Sequence, residues 1–321
     1  MNSIASRRLL PFQVLLWLVP IAAVAWWAST QKAPQLPDSF GAVMGLVGAI
    51  AVYALGTLGR AERWHQILGD ARIRTPRRES YSLVTVGYMG NNVLPARGGE
   101  VLRVFLLGSR TGASKRSILG TILAERVLDA VALGMILLIV AYNLLTSLRM
   151  PSGSLLLAGA GLLTALAAVG GFVLWRSPTL GARILETGRH LLRPCRQLLS
   201  RRGAALLALS LGIWALEAAV YVIVGATVGL HLGVQGGLSV VAFSNLCALV
   251  PAAPGYLGTY DAAVGFAVKA TTGVGSVLTY LLLLRFVLFV PITLVGLVLL
   301  FARYGGFSRV RAARAAAAAT A

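Results

Sequence analysis

Six apolar runs decide what this chain can fold into: residues 9–28, 40–58, 118–145, 155–175, 204–228 and 276–302. Each is long enough to cross a hydrocarbon layer of ~30 Å as a helix rising ~1.5 Å per residue. No water bonds the backbone there, so a chain crosses as helices or as a closed barrel, and long runs without alternation are helices. The expected class is an all-α polytopic membrane protein. A composition 57% hydrophobic and 12% charged, with mean hydropathy +0.80, excludes a soluble globule. Arg7 and Arg8 precede the first run as in a signal peptide, but its length and the spans that follow make it an uncleaved first span.

The formal charge of +19 has a sidedness. With the N-terminus in the cytoplasm, segments 1–8, 59–79, 97–116, 176–202 and 303–321 all face inward and hold 24 of the 29 Lys and Arg. Basic residues clustered between apolar runs are what the positive-inside rule produces, so nucleic acid is not the partner. The expected location is the cytoplasmic (inner) membrane, multi-pass, with both termini in the cytoplasm. Segment 176–202 reads as a basic surface helix and 303–321 as a basic, Ala-rich tail. Both suit anionic headgroups, which attract each basic residue by ~1 kcal/mol. Cys195, Cys247, His65, His190 and His231 show no metal spacing and no disulfide framework, so no cofactor is expected.

Two regions are too short for whole crossings. In residues 80–108 an apolar arm reaches Asn92, the chain breaks over Pro95, Gly98 and Gly99, and a second arm returns. In residues 237–270 two arms of about 21 Å flank a break containing Pro251, Pro254, Gly255 and Gly258. The flanking charges and spans make the first a hairpin entered from the cytoplasm and the second one entered from outside. The expected architecture is six full spans plus two re-entrant helical hairpins in a single integral-membrane domain, residues 1–321.

The hairpins resemble one another. "VLPARGGE" around Pro95 matches "LVPAAPGYLGTYD" around Pro251, each preceded by asparagine (Asn91 and Asn92, or Asn245) and followed by an acid, Glu100 or Asp261. Arg126 comes 31 residues after Pro95 and Arg285 comes 34 after Pro251. Residues 40–145 and 204–302 thus read as an inverted repeat, a signature of carriers that alternate access to a central site. Helices rich in Ala, Gly and Leu also align by chance, and the pairing of Glu62 with Glu217 carries little weight.

Eight charged groups fall at membrane depth: Glu100, Arg103, Glu125, Arg126, Asp129, Glu217, Asp261 and Arg285. Charge in hydrocarbon costs at least ~2.5 kcal/mol, so these groups need partners. Glu125 and Asp129 share a helix face, and Glu100 on the hairpin is expected to face Arg126 or Arg103. Each pair fits either of two roles, fixing a hairpin against a span or reading a lipid headgroup. The hairpin glycines likewise fit tight turns and close packing, or backbone amides approaching a phosphate. Phosphate-loop, GxSxG and HExxH patterns are lacking, and no histidine lies near the acidic cluster, so no catalysis is expected.

"GYMGNNVLPARGGEVLRVFLLGSRTGASKRSILGTILAERVLDAVAL", with "VPAAPGYLGTYDAAV" and "LLRFVLFVP", resembles the flippase-like transmembrane domain of lysylphosphatidylglycerol synthases and their stand-alone relatives. The resemblance runs from about Phe12 to Arg303 and implies a protein that moves lipids between leaflets. It places characteristic positions at Asn92, Pro95, Arg97, Gly99, Glu100, Arg103, Glu125, Arg126 and Asp129, then at Pro251, Pro254, Gly255, Gly258, Asp261, Arg285 and Pro291. The second motif departs from the usual Pro-Gly-Gly-x-Gly followed by Glu, having Tyr256, Leu257 and Asp261 instead. No aminoacyltransferase domain follows, so synthesis of the lysylated lipid is not expected. The leading expectation is a lipid translocase acting on an anionic or phosphate-bearing lipid, with Asn92, Arg97, Glu100, Arg103, Glu125, Arg126, Asp129, Asp261 and Arg285 binding substrate. The alternative is an accessory protein or enzyme of polyprenyl-phosphate glycolipid assembly, working with a glycosyltransferase or lipid-modifying partner.

Overall fold

The structure, a computed structural model, describes residues 29–30, 38–94, 97–147, 200–247, 254–272 and 277–306. The expected spans at 9–28 and 155–175, most of the basic segment and tail, and Pro95 and Pro251 lie outside these residues. Among the described residues there are eight α-helices and no strand. They are α1 (Phe40–Asp70), α2 (Arg77–Val93), α3 (Gly98–Thr111), α4 (Lys115–Ser147), α5 (Arg201–Thr227), α6 (Gly233–Cys247), α7 (Thr259–Thr272) and α8 (Leu278–Tyr304). A 3-10 turn, Pro254–Tyr256, joins the second short pair.

Of these, α1, α5 and α8 are long and apolar enough to cross a membrane. Helix α4 is longer still, 33 residues, but carries Glu125, Arg126 and Asp129 in its first half. The chain is a helical membrane protein. Local signals explain the ends: the Ser39 and Ser200 hydroxyls accept the backbone amides of Ala42 and Gly203, and α3 and α8 stop at Gly112 and Gly305, both with φ near +70°. Helix α1 continues well past residue 58, where the apolar run ends, to Asp70.

Ion pairs fix helix direction. Arg202 at the start of α5 reaches Asp70 at the end of α1 at 3.0 Å. Arg303 at the end of α8 and Arg110 near the end of α3 both reach Glu79 at the start of α2, at 3.0 and 2.9 Å. So α1 and α8 run toward this basic end, α5 runs away from it, and the α2–α3 hairpin opens there. At the other end Thr227 of α5 lies against Gly45 of α1, and Gly236 of α6 lies near Thr271 of α7. The α6–α7 hairpin opens at that opposite end, and the two tips meet: the turn at Pro254–Tyr256 packs on α2, and Arg97 lies 5.9 Å from the Tyr256 ring.

The packing is reciprocal. Helix α1 packs on α5, α2 on α8 and α6 on α4, while α4 touches α5 and α8 touches α1. Exchanging α1–α4 for α5–α8 maps the α1–α5 contact onto itself and each of the others onto another of them. Large apolar side chains such as Val47, Leu55, Phe286, Leu294 and Val298 are exposed along α1 and α8, a surface suited to lipid. Charge is instead drawn inward, toward the meeting point of the hairpins.

Candidate functional site

A cavity of about 130 Å³ lies where the two hairpin tips meet α1, α4, α5 and α8. Asn92, Arg97, Glu100, Arg103, Arg126 and Asp129 of the expected site all line it. Glu125 stands directly behind, 2.7 Å from Arg103. Asp261 and Arg285 are not part of the cavity wall. They pair with each other through two bonds of 2.7 Å.

The ion pairs around the cavity form a network through Arg63, Arg97, Arg103 and Arg126, with the Arg60–Glu217 pair beside it. Arg63, only 1% exposed, reaches Asp129 at 2.8 Å and Glu125 at 3.9 Å, and also donates to the Ser210 hydroxyl at 2.7 Å. Arg60 pairs with Glu217 and lies 5.2 Å from the Trp214 ring and 5.8 Å from that of Tyr88. Arg103 stacks 3.9 Å from the Trp64 ring. Glu100 faces Arg126, not Arg103, at 3.7 Å, and Arg97 at 3.8 Å. Among the described residues, four arginines (Arg63, Arg97, Arg103, Arg126) thus share three carboxylates (Glu100, Glu125, Asp129), an excess of one positive charge, and the Arg60–Glu217 pair beside them is neutral.

Arg126 is the loosest member. Its ion pairs are long, 3.7 Å to Glu100 and 3.4 Å to Asp129. It sits deep among the helices, yet 35% of its side chain is accessible because it faces the cavity. A guanidinium so placed keeps donors available for an oxyanion.

The hairpin breaks are tightly closed. A Cβ on Gly99 would lie 1.8 Å from the Gly87 carbonyl oxygen, so α2 and α3 cross where only hydrogen fits. The Gly99 amide donates to Asn91 Oδ1 at 3.0 Å and the Gly258 amide to Asp261 Oδ2 at 2.9 Å; both are engaged within the protein. Gly98 lies against Leu94, and Gly255 against Asn92 and Phe289. Arg285 Nη1 also donates to the Gly255 carbonyl at 3.1 Å. Asp261 and Arg285 together therefore clamp the second tip.

Beside the polar cavity runs a mostly apolar groove of about 540 Å³, open outward along α8 and lined by Leu257, Leu282, Phe286, Val290 and Leu294, with Arg285 also in its wall. Asn92 and Phe289 line both spaces, and Asn92 Nδ2 donates to Thr293 Oγ1 at 2.9 Å. At the basic end, outside the apolar part of α1, Glu62 accepts bonds from Tyr81, Gln66 and Arg77.

Residues 8–296 match the family described as the lysylphosphatidylglycerol synthase TM region. The chain belongs to this family. A stretch of 121 residues is 25% identical to the UPF0104 membrane protein PH1989 of Pyrococcus horikoshii, covering 37% of this chain and 36% of that protein. The chain thus spans about a third of the length of the curated relative it matches. No solved structure matches the chain.

In this member of the lysylphosphatidylglycerol synthase TM family, sequence reasoning missed Arg60 and Arg63, taking them as cytoplasmic anchors. Both are buried in the ion-pair network. A signal was present: the carboxylates expected at depth were Glu100, Glu125, Asp129, Glu217 and Asp261, against only Arg103, Arg126 and Arg285. That deficit of two cations is met by Arg60 and Arg63, three apart on one helix face. The cavity tyrosines Tyr53, Tyr88, Tyr221, Tyr256 and Tyr260 carried no comparable signal, since aromatic residues in apolar helices usually pack.

Proposed function

We propose that this protein moves a phosphate-bearing lipid between the leaflets of the cytoplasmic membrane, with the phosphate carried through the central cavity by Arg126. The observation that carries this reading is the excess positive charge of the network, centred on an arginine that faces the cavity through long ion pairs. An arginine cluster buried in a membrane with one charge too many favours an anion, and a lipid phosphodiester supplies one negative charge. The adjoining apolar groove suits an acyl or prenyl chain, so that the head enters the cavity while the tail remains in hydrocarbon. No chemical step is required of the protein.

The reciprocal packing supports an inverted repeat, with α2–α3 and α6–α7 as re-entrant hairpins that never cross the bilayer. Rocking one repeat against the other would open the cavity alternately to each side. Cells carrying and lacking the protein test this directly. The expected result is depletion of one phospholipid class from the outer leaflet when the protein is absent, and no recovery with Arg126→Gln. Unchanged leaflet composition across every phospholipid class would refute transport.

A further inference from the structure

We propose that the headgroup this cavity accepts is a neutral, hydroxyl-bearing group on a phosphodiester, such as glycerol or a sugar, and that amine-bearing headgroups are excluded. This rests on the phosphate reading above and adds a selectivity to it. The first observation is that every carboxylate lining the cavity already has an arginine within 4 Å. Glu217 is held by Arg60, Asp129 by Arg63 and Arg126, and Glu100 by Arg126 and Arg97. An ammonium brings three donors, no acceptor and a positive charge. It would have to displace a guanidinium inside a cluster that is already cationic, with little water to screen the repulsion.

The second observation is the chemistry of the remaining wall, which is neutral and under-bonded. The hydroxyls of Tyr53, Tyr88 and Tyr256 have no hydrogen-bond partner among the described residues, and all three residues line the cavity. Asn245 donates to the Val241 carbonyl at 3.0 Å, which leaves its side-chain oxygen for a ligand. Asn91 accepts from Gly99, which leaves its side-chain amide. Hydroxyls both donate and accept, so a polyol satisfies such a wall in either sense without adding charge. The cavity therefore has a cationic corner at Arg126 for the phosphate and a neutral wall for what the phosphate carries.

The test is displacement of fluorescent phosphatidylglycerol from the purified full chain by unlabelled lipids. Phosphatidylglycerol and phosphatidylinositol are expected to displace it at least tenfold better than phosphatidylethanolamine or lysyl-phosphatidylglycerol, and better than phosphatidic acid, which has phosphate without a polyol. Equal or better displacement by either amine-bearing lipid overturns the inference, as does phosphatidic acid matching phosphatidylglycerol. Asn245→Asp, which adds a carboxylate to the neutral wall, is expected to improve displacement by phosphatidylethanolamine about tenfold; no change counts against the inference. Tyr88→Phe with Tyr256→Phe, which removes only hydroxyls, is expected to weaken phosphatidylglycerol and leave phosphatidic acid unaltered; equal loss for both overturns the neutral wall. If no phospholipid binds, the phosphate reading falls and this inference with it. If lipids bind in the expected order without crossing the bilayer, transport falls and the selectivity stands.

Discussion

Arg63 and Arg126 belong to one ion-pair network and carry different burdens. Arg63 is enclosed, bonded to Asp129 and Ser210, and close to Glu125. Removing it breaks the buried bonds to Asp129 and Ser210 and leaves Asp129 only its longer pair with Arg126, a loss of about 3–5 kcal/mol by analogy with other broken buried pairs. Arg63→Leu is therefore expected to lower the thermal unfolding midpoint in detergent sharply. Arg126→Gln removes a guanidinium whose contacts are long, so the midpoint should shift by only a small fraction of that amount while transport is lost. A midpoint for Arg126→Gln as low as that of Arg63→Leu would make Arg126 a structural residue. The charges at depth were legible in the sequence because hydropathy makes each one conspicuous. Arg60 and Arg63 were not, because they sit where an apolar run ends, and a helix end looks the same whether its arginines meet water or partner acids.

At the scale of elements, the two short helical pairs depend on close backbone approach more than on side-chain packing. The Gly99 position has no room for a methyl group, since its nearest neighbour is backbone and cannot rotate away. Gly99→Ala is expected to abolish the folded α2–α3 pair, read as loss of monodisperse protein on size-exclusion chromatography; near-normal recovery would contradict the crossing described. The breaks themselves were readable from Pro95, Pro251 and arms too short to span, and the apolar runs predicted α1, α4, α5 and α8 to within a few residues at most ends. The run to residue 58 stopped short of Asp70, where α1 ends, because a hydropathy pattern registers the apolar stretch and a helix continues wherever its polar residues find partners. The role of Asp261 and Arg285 was equally hidden. Spacing places them at equivalent points of two motifs, but only the fold reveals that they close on each other and on Gly255.

For the whole molecule, the reciprocal packing of α1–α4 against α5–α8 makes a topological prediction. The α3–α4 connection and the α5–α6 connection should face opposite sides of the membrane. Cysteine placed at exposed Ser109 is expected to react with an impermeant maleimide only in inside-out vesicles, and cysteine at exposed Val234 only in right-side-out vesicles; both native cysteines, Cys195 and Cys247, are replaced by serine beforehand. Labelling of both from one side would dismiss the inverted arrangement. The two hairpin tips, the cationic cavity and the apolar groove lie together, which is what the proposed transport requires. The measurement closest to that central claim is leaflet exchange in proteoliposomes containing tail-labelled fluorescent phosphatidylglycerol and treated with an impermeant reductant. Wild-type protein is predicted to expose the inner-leaflet label to reduction at a rate at least tenfold above Arg126→Gln, which should match protein-free liposomes. Wild-type and protein-free vesicles with the same protected fraction would contradict the account.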